Sequence, residues 1–102
     1  VPYGTPGAKK LADSLKEYQH WLVLCEDLKR GRISGLQRQR CFPLHAVNAA
    51  GVKTIITRYY ADFVFIRDGR MVVVDVKGYA TATYKMKRKW LKAEYGIDIE
   101  EV

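Results

Sequence analysis

The stretch YYADFVFIRDGRMVVVDVKG, residues 59–78, decides the fold. Asp68-Gly69 lies between two apolar runs, and this dipeptide favours a two-residue type I′ hairpin loop. With that loop, Arg67 pairs with Arg70, and the index sum of paired residues stays constant outward. Since 67 + 70 and 62 + 75 both equal 137, Asp62 falls opposite Asp75, and Lys77, two residues on, shares their face. Val64, Ile66, Met71 and Val73 make the rest of that face apolar, while Phe63, Phe65, Val72, Val74 and Val76 form the other. A hairpin apolar on both sides needs cover on both sides, so the remaining elements are expected to flank it as helices.

Opposed carboxylates on an apolar face repel each other. At about 5 Å and an effective dielectric near 20 the cost is about 3 kcal/mol. A divalent cation between the two acids removes the conflict, and an all-oxygen site suits Mg²⁺ or Mn²⁺. The competing arrangement pairs one Asp with Lys77 and leaves the other protonated or exposed.

Around this hairpin, 102 residues allow one domain with a modest core. A content of 48% hydrophobic and 28% charged residues argues against disorder. The 18 basic against 11 acidic side chains give a net charge of +7, which favours a polyanionic partner, most often nucleic acid, although solubility alone also explains basic charge. Cys25 and Cys41 lack metal-ligand spacing and read as reduced core residues of a cytoplasmic protein. No apolar run approaches the roughly 20 residues that span a bilayer, and no signal-peptide pattern is visible, so no membrane partner is expected.

Residues 1–8 carry two Pro and two Gly and read as a flexible lead-in to a single domain over 9–102. From about Lys9 to Arg30 the spacing of Leu11, Leu15, Tyr18, Leu22 and Cys25 predicts a helix with that stripe inward, widened by Trp21, Leu24 and Leu28. Strands are expected at about Gln37–Leu44, Val52–Arg67 and Arg70–Lys77, with a loop at His45–Gly51. A second helix at Tyr84–Tyr95, stopped by Gly96, leads to a short strand within Ile97–Val102. The fold class is therefore α/β, order α-β-β-β-α-β.

Glu17 lies inside the apolar arc of the first helix, where an unpaired carboxylate is costly. It either pairs with Lys10 or reaches the two aspartates as a third acid. Gln39, on the neighbouring strand, and Tyr60 are further candidates for the surroundings of the acids. Lys85, Lys87, Arg88, Lys89 and Lys92 crowd the second helix, with no acid between Lys85 and Lys92. That run reads as a surface for backbone phosphates, against the simpler reading of a solvated helix face. Trp90 and Leu91 read as core, and His20 and His45 as packing residues.

These residues resemble the PD-(D/E)XK nuclease superfamily. The likeness is closer to small phage- and prophage-encoded nuclease-like proteins, through Ser14-Leu15-Lys16-Glu17, Gly31-Arg32-Ile33, Leu36 to Phe42 with Gln39, Ala61-Asp62-Phe63 and Asp75-Val76-Lys77-Gly78. Ala61 stands where the superfamily name expects Pro, a position that varies within it. The resemblance implies a restriction-endonuclease-like core, a mixed sheet flanked by two helices. It also implies a Mg²⁺- or Mn²⁺-dependent deoxyribonuclease. Asp62, Asp75 and the main-chain carbonyl of Val76 would hold the metal, Glu17 would complete the site, and Lys77 would orient the attacking water or stabilise the phosphate. Branched DNA such as a Holliday junction is the substrate expected of a small phage nuclease, in DNA recombination in the cytoplasm of a bacterial host. A homodimer and phage replication or recombination proteins are the expected partners. The alternatives are a non-catalytic nucleic-acid-binding module and a protein-interaction component of a phage DNA-processing complex.

Overall fold

The computed structural model describes the backbone of residues 8–76 and 80–102, and the side chains of 14–76 and 80–102. The lead-in over 1–7, and Lys77 with its two following neighbours, lie outside the described residues. Helix α1 (Ala8–Lys29) is followed by strands β1 (Ser34–Val47), β2 (Lys53–Arg67) and β3 (Arg70–Asp75), helix α2 (Ala82–Tyr95) and strand β4 (Ile99–Glu101). The four strands form one sheet in chain order. β1, β2 and β3 run antiparallel, and β4 joins β3 in parallel after the α2 crossover. This is the expected α/β order with a mixed sheet between two helices.

The turn sets the register. Asp68 and Gly69 adopt φ of 53° and 74°, as a type I′ loop requires. Pairing runs from Arg67↔Arg70 to Phe63↔Val74, each pair summing to 137. At the other end of β2, Asn48 stops the strand by accepting the N–H groups of Ala50 and Val52 on its side-chain oxygen, 2.9 and 3.0 Å away. The β1–β2 connection is therefore shorter than the expected loop over His45–Gly51, and β1 continues to Val47.

Each helix covers one face of the sheet. Under α1, Leu24 and the half-buried Trp21 meet Ile33, Phe63, Phe65, Val74 and Val76. Under α2, Tyr84 and Leu91 meet Phe42, Leu44, Tyr59, Ala61, Val64 and Val73. The two faces of the hairpin are those read from alternation. The α1 stripe is not. Leu15, Tyr18 and Leu22, expected inward, are exposed, and Trp21 and Leu24 make the contact. Trp21 stacks on Phe63 at 5.8 Å, and Arg38 lies over the indole at 5.2 Å. A large aromatic gains more from burial than a leucine on the flank of the same arc, so it sets the rotation of the helix. Cys41, expected in the core, is exposed, while Cys25 is half-buried and both thiols are free.

The two long strands exchange faces midway. Leu36 and Arg38 lie on the α1 side, yet Phe42 and Leu44 lie under α2. Strict alternation would keep all four together. The change falls at Gln39, which adopts φ of 51°. β2 changes one rung across, where Tyr59 and Ala61 lie under α2 and Phe63 and Phe65 under α1. The pairing passes from Arg38↔Phe63 to Arg40↔Ala61 around this point, so Gln39 and Asp62 occupy the crossing. A left-handed non-glycine residue costs about 1 kcal/mol, a strain that surrounding contacts must offset.

Thr81 caps the start of α2 by accepting the Tyr84 N–H, and Gly96 ends it in the left-handed region at φ of 71°. The helix is tied to β1 by polar bonds. Trp90 Nε1 donates to the His45 carbonyl at 3.0 Å, and the Tyr95 hydroxyl donates to the Pro43 carbonyl at 2.7 Å. Glu94 accepts the His45 N–H at 2.7 Å, meets His45 Nδ1 at 2.5 Å, and lies 3.6 Å from Lys53 Nζ. The backbone N–H does most to hold the Glu94 carboxyl below its ordinary range, with the His45 ring and Lys53 adding to it. A lowered folded-state pKa contributes stability above the unfolded pKa and loses it as pH falls through the folded value. Replacing Glu94→Gln is therefore expected to lower Tm most near neutral pH, with the difference from the parent shrinking below about pH 4. Thermal unfolding of both proteins across pH checks this.

Candidate functional site

The acids gather where β3 ends. Asp75, its last residue, is 1% exposed. A buried carboxylate needs donors, and the Tyr59 hydroxyl supplies one to Oδ2 at 2.5 Å. Burial, then the bond to Asp75, pushes the Tyr59 phenol far above its ordinary pKa, so it stays a donor throughout the physiological range. Tyr84 lies beside it, with ring centroids 6.4 Å apart, and is also raised by burial and by its bond to Glu101. Asp75 thus sits beneath the N-terminal half of α2.

Asp62 is held differently. Its Oδ2 accepts the Val76 N–H at 2.8 Å, and its Oδ1 accepts Gln39 Nε2 at 3.3 Å. The β2–β3 pairing stops at Phe63↔Val74, and on the next rung the Asp62 side chain, rather than its main chain, takes the Val76 amide. Asp62 and Asp75 are therefore brought to the same end of the hairpin, each anchored by neutral donors. Gln39, expected near the acids, meets one of them directly, and its left-handed backbone belongs to that placement.

Glu17 approaches from the other side. It is half-buried on the sheet-facing stripe of α1, one turn before His20 and Trp21, both of which contact the ring of Phe63. Among the described residues no three acids, histidines or cysteines form a group that could hold a metal. Lys77, assigned to this site from the sequence, lies outside the described residues.

Tyr59 is the site residue that the strand pattern conceals. Alternation places Tyr60 with Asp62 and Tyr59 on the opposite face. The exchange of faces at Asp62 reverses that assignment. Tyr59 is buried against Asp75, and Tyr60 is 53% exposed at the margin.

The basic residues of α2 divide by partner. Arg88 is bound to Glu101 at 2.8 Å and Lys92 to Asp98 at 2.7 Å, so the carboxylates around β4 neutralise these two cations. Lys85 and Lys89 are exposed, and Lys87 donates to the Arg58 carbonyl at 2.9 Å. Among the described residues none of these three lies within ion-pair distance of a carboxylate.

The profile of a family described as "Protein of unknown function (DUF1064)" matches residues 8–100. The chain belongs to that family. The match takes in both helices, all of β1 to β3 and every site residue discussed above, so the acid pair lies within the family's domain. No curated protein and no solved structure matches the chain.

In this DUF1064 domain the Tyr59–Asp75 bond is testable by itself. Tyr59→Phe removes the donor from a buried carboxylate and is expected to destabilise the fold by about 1–3 kcal/mol. In the Asp75→Asn background the same change should cost measurably less, a coupling of about 0.5–3 kcal/mol in a double-mutant cycle by urea unfolding. Additive effects would show that the two side chains act independently.

Proposed function

We propose that this chain is a metal-dependent DNA endonuclease. The observation that carries the reading is the pair of carboxylates, Asp62 and Asp75, placed at one end of the hairpin and oriented by Gln39, the Val76 amide and Tyr59. A fold needs no second acid at that rung, since an apolar residue would serve the sheet better. The donor set fits a hard cation. Mg²⁺ is commonly held by one or two carboxylates completed by water and substrate phosphate, rather than by a full protein cage. Asp62, Asp75 and the Val76 carbonyl are the groups that would hold it. When bound, such an ion supplies charge stabilisation on the phosphate and an activated water.

The protein's own part is positional. Tyr59 fixes one carboxylate from below, and Gln39 with the Val76 amide fixes the other, so the two acids are oriented before substrate arrives. Lys77, two residues after Asp75 in the sequence, would bring an ammonium to the developing phosphate charge. Lys85, Lys87 and Lys89 lie on the adjoining helix, where they would meet backbone phosphates without reading bases. Branched DNA is the substrate the sequence resemblance favours, and a homodimer would supply a second site for the second strand. Among the described residues no helix is long and apolar enough to cross a membrane.

Asp75→Asn is expected to abolish Mg²⁺- or Mn²⁺-dependent cleavage of labelled duplex, flap and four-way-junction DNA while leaving DNA binding intact. Retained cleavage would overturn the site. Metal-independent binding without cutting by the parent protein would favour the non-catalytic module. Lys85→Ala and Lys89→Ala should each weaken binding similarly across sequences and reduce the salt slope by about 1. Titrations between low and moderate salt check this.

A further inference from the structure

β2 extends past its described pairing with β3 beside Tyr59. β3 pairs with β2 only over Phe63–Arg67, while β2 runs back to Lys53. Among the described residues, β2 from Ala61 back pairs with β1 alone. The N-terminal half of α2 lies along this part of β2 and leaves a cleft of about 280 Å³. Arg58, Tyr60, Thr81, Thr83 and Lys87 line it, with the buried Tyr59 and Tyr84 beneath. Tyr59 also donates to Asp75, so one side chain separates the cleft from the acid pair.

Lys87 Nζ reaches across the cleft to the Arg58 carbonyl at 2.9 Å. Arg58 and Lys87 provide positive charge with no carboxylate partner among the described residues, and Thr83 adds an exposed hydroxyl. Cations and hydroxyls of this kind recognise phosphate. Tyr60, exposed at the rim, offers a ring face, and base stacking on such a ring is tolerant of sequence. The volume falls just below the usual range for small-ligand pockets, about 300–1,000 Å³, and so suits one nucleotide and not a duplex. Bases within a duplex are already stacked on one another and cannot offer a face to Tyr60.

From this we infer that the cleft seats one unpaired nucleotide next to the cut, with its phosphate at Arg58 and Lys87 and its base on Tyr60. The substrate class is then DNA with a single-stranded segment adjoining the cleaved bond, such as a flap or an open branch. The inference rests on the nuclease reading for the cut, but the cleft can be tested without catalysis.

The test uses the whole chain in EDTA with a short single-stranded oligonucleotide carrying 2-aminopurine, and a duplex carrying the same base. The parent protein should quench the single-stranded probe. Tyr60→Ala should abolish the quench and weaken single-strand binding about tenfold, with duplex affinity unchanged, while Tyr60→Phe should behave as the parent. Arg58→Ala should weaken binding but leave the residual complex quenched. Circular dichroism of each variant confirms that it is folded. Unchanged single-strand affinity in Tyr60→Ala, or equal loss on both probes, would overturn the cleft assignment. A separate Mg²⁺ cleavage assay with Asp75→Asn divides the two readings. Tyr60-dependent quenching without any metal-dependent cleavage would leave the cleft and remove the nuclease. Asp75-dependent cleavage with no Tyr60 effect would do the reverse.

Discussion

Burial of the Asp75 carboxylate is the constraint around which the rest is arranged. A charged group taken from water costs several kcal/mol unless donors replace its hydration. Tyr59 supplies such a donor from β2, and it reaches Asp75 only because β2 changes faces between Ala61 and Phe63. β1 changes with it at Gln39, in a left-handed conformation that glutamine rarely adopts. The strained residue then uses its side chain on Asp62. The distortion of two strands, one unfavourable backbone conformation and two anchored acids are thus parts of one arrangement. Strain of this sort is found where a site must be held in a set geometry.

The same exchange of faces shapes the surroundings. It places Tyr59 under α2 and puts Tyr60 at the margin of the cleft between β2 and α2. α2 then serves two purposes along its length. Its C-terminal half is fastened to β1 through Trp90, Glu94 and Tyr95, and its cations there meet carboxylates around β4. Lys85, Lys87 and Lys89 have no carboxylate partner among the described residues.

Asp68-Gly69 and the apolar runs on either side determined by themselves the hairpin, its register and the two faces that need cover, because the loop conformation is local and the strand period is two. The helices were legible from spacing and from Gly96, and the two acids followed from the register by arithmetic. Tertiary structure alone decided which arc of α1 turns inward. Its apolar residues span more than one face, and the stacking of Trp21 on Phe63 settles the choice. Tertiary structure also decided that Tyr59, not Tyr60, holds Asp75. That depends on a break in alternation at Gln39 and Asp62, which pays no local dividend and leaves no mark in the pattern of either strand. Such a break is stabilised only by partners distant in the chain, the Val76 amide for Asp62 and Asp75 for Tyr59, so it exists only once the sheet has closed around them.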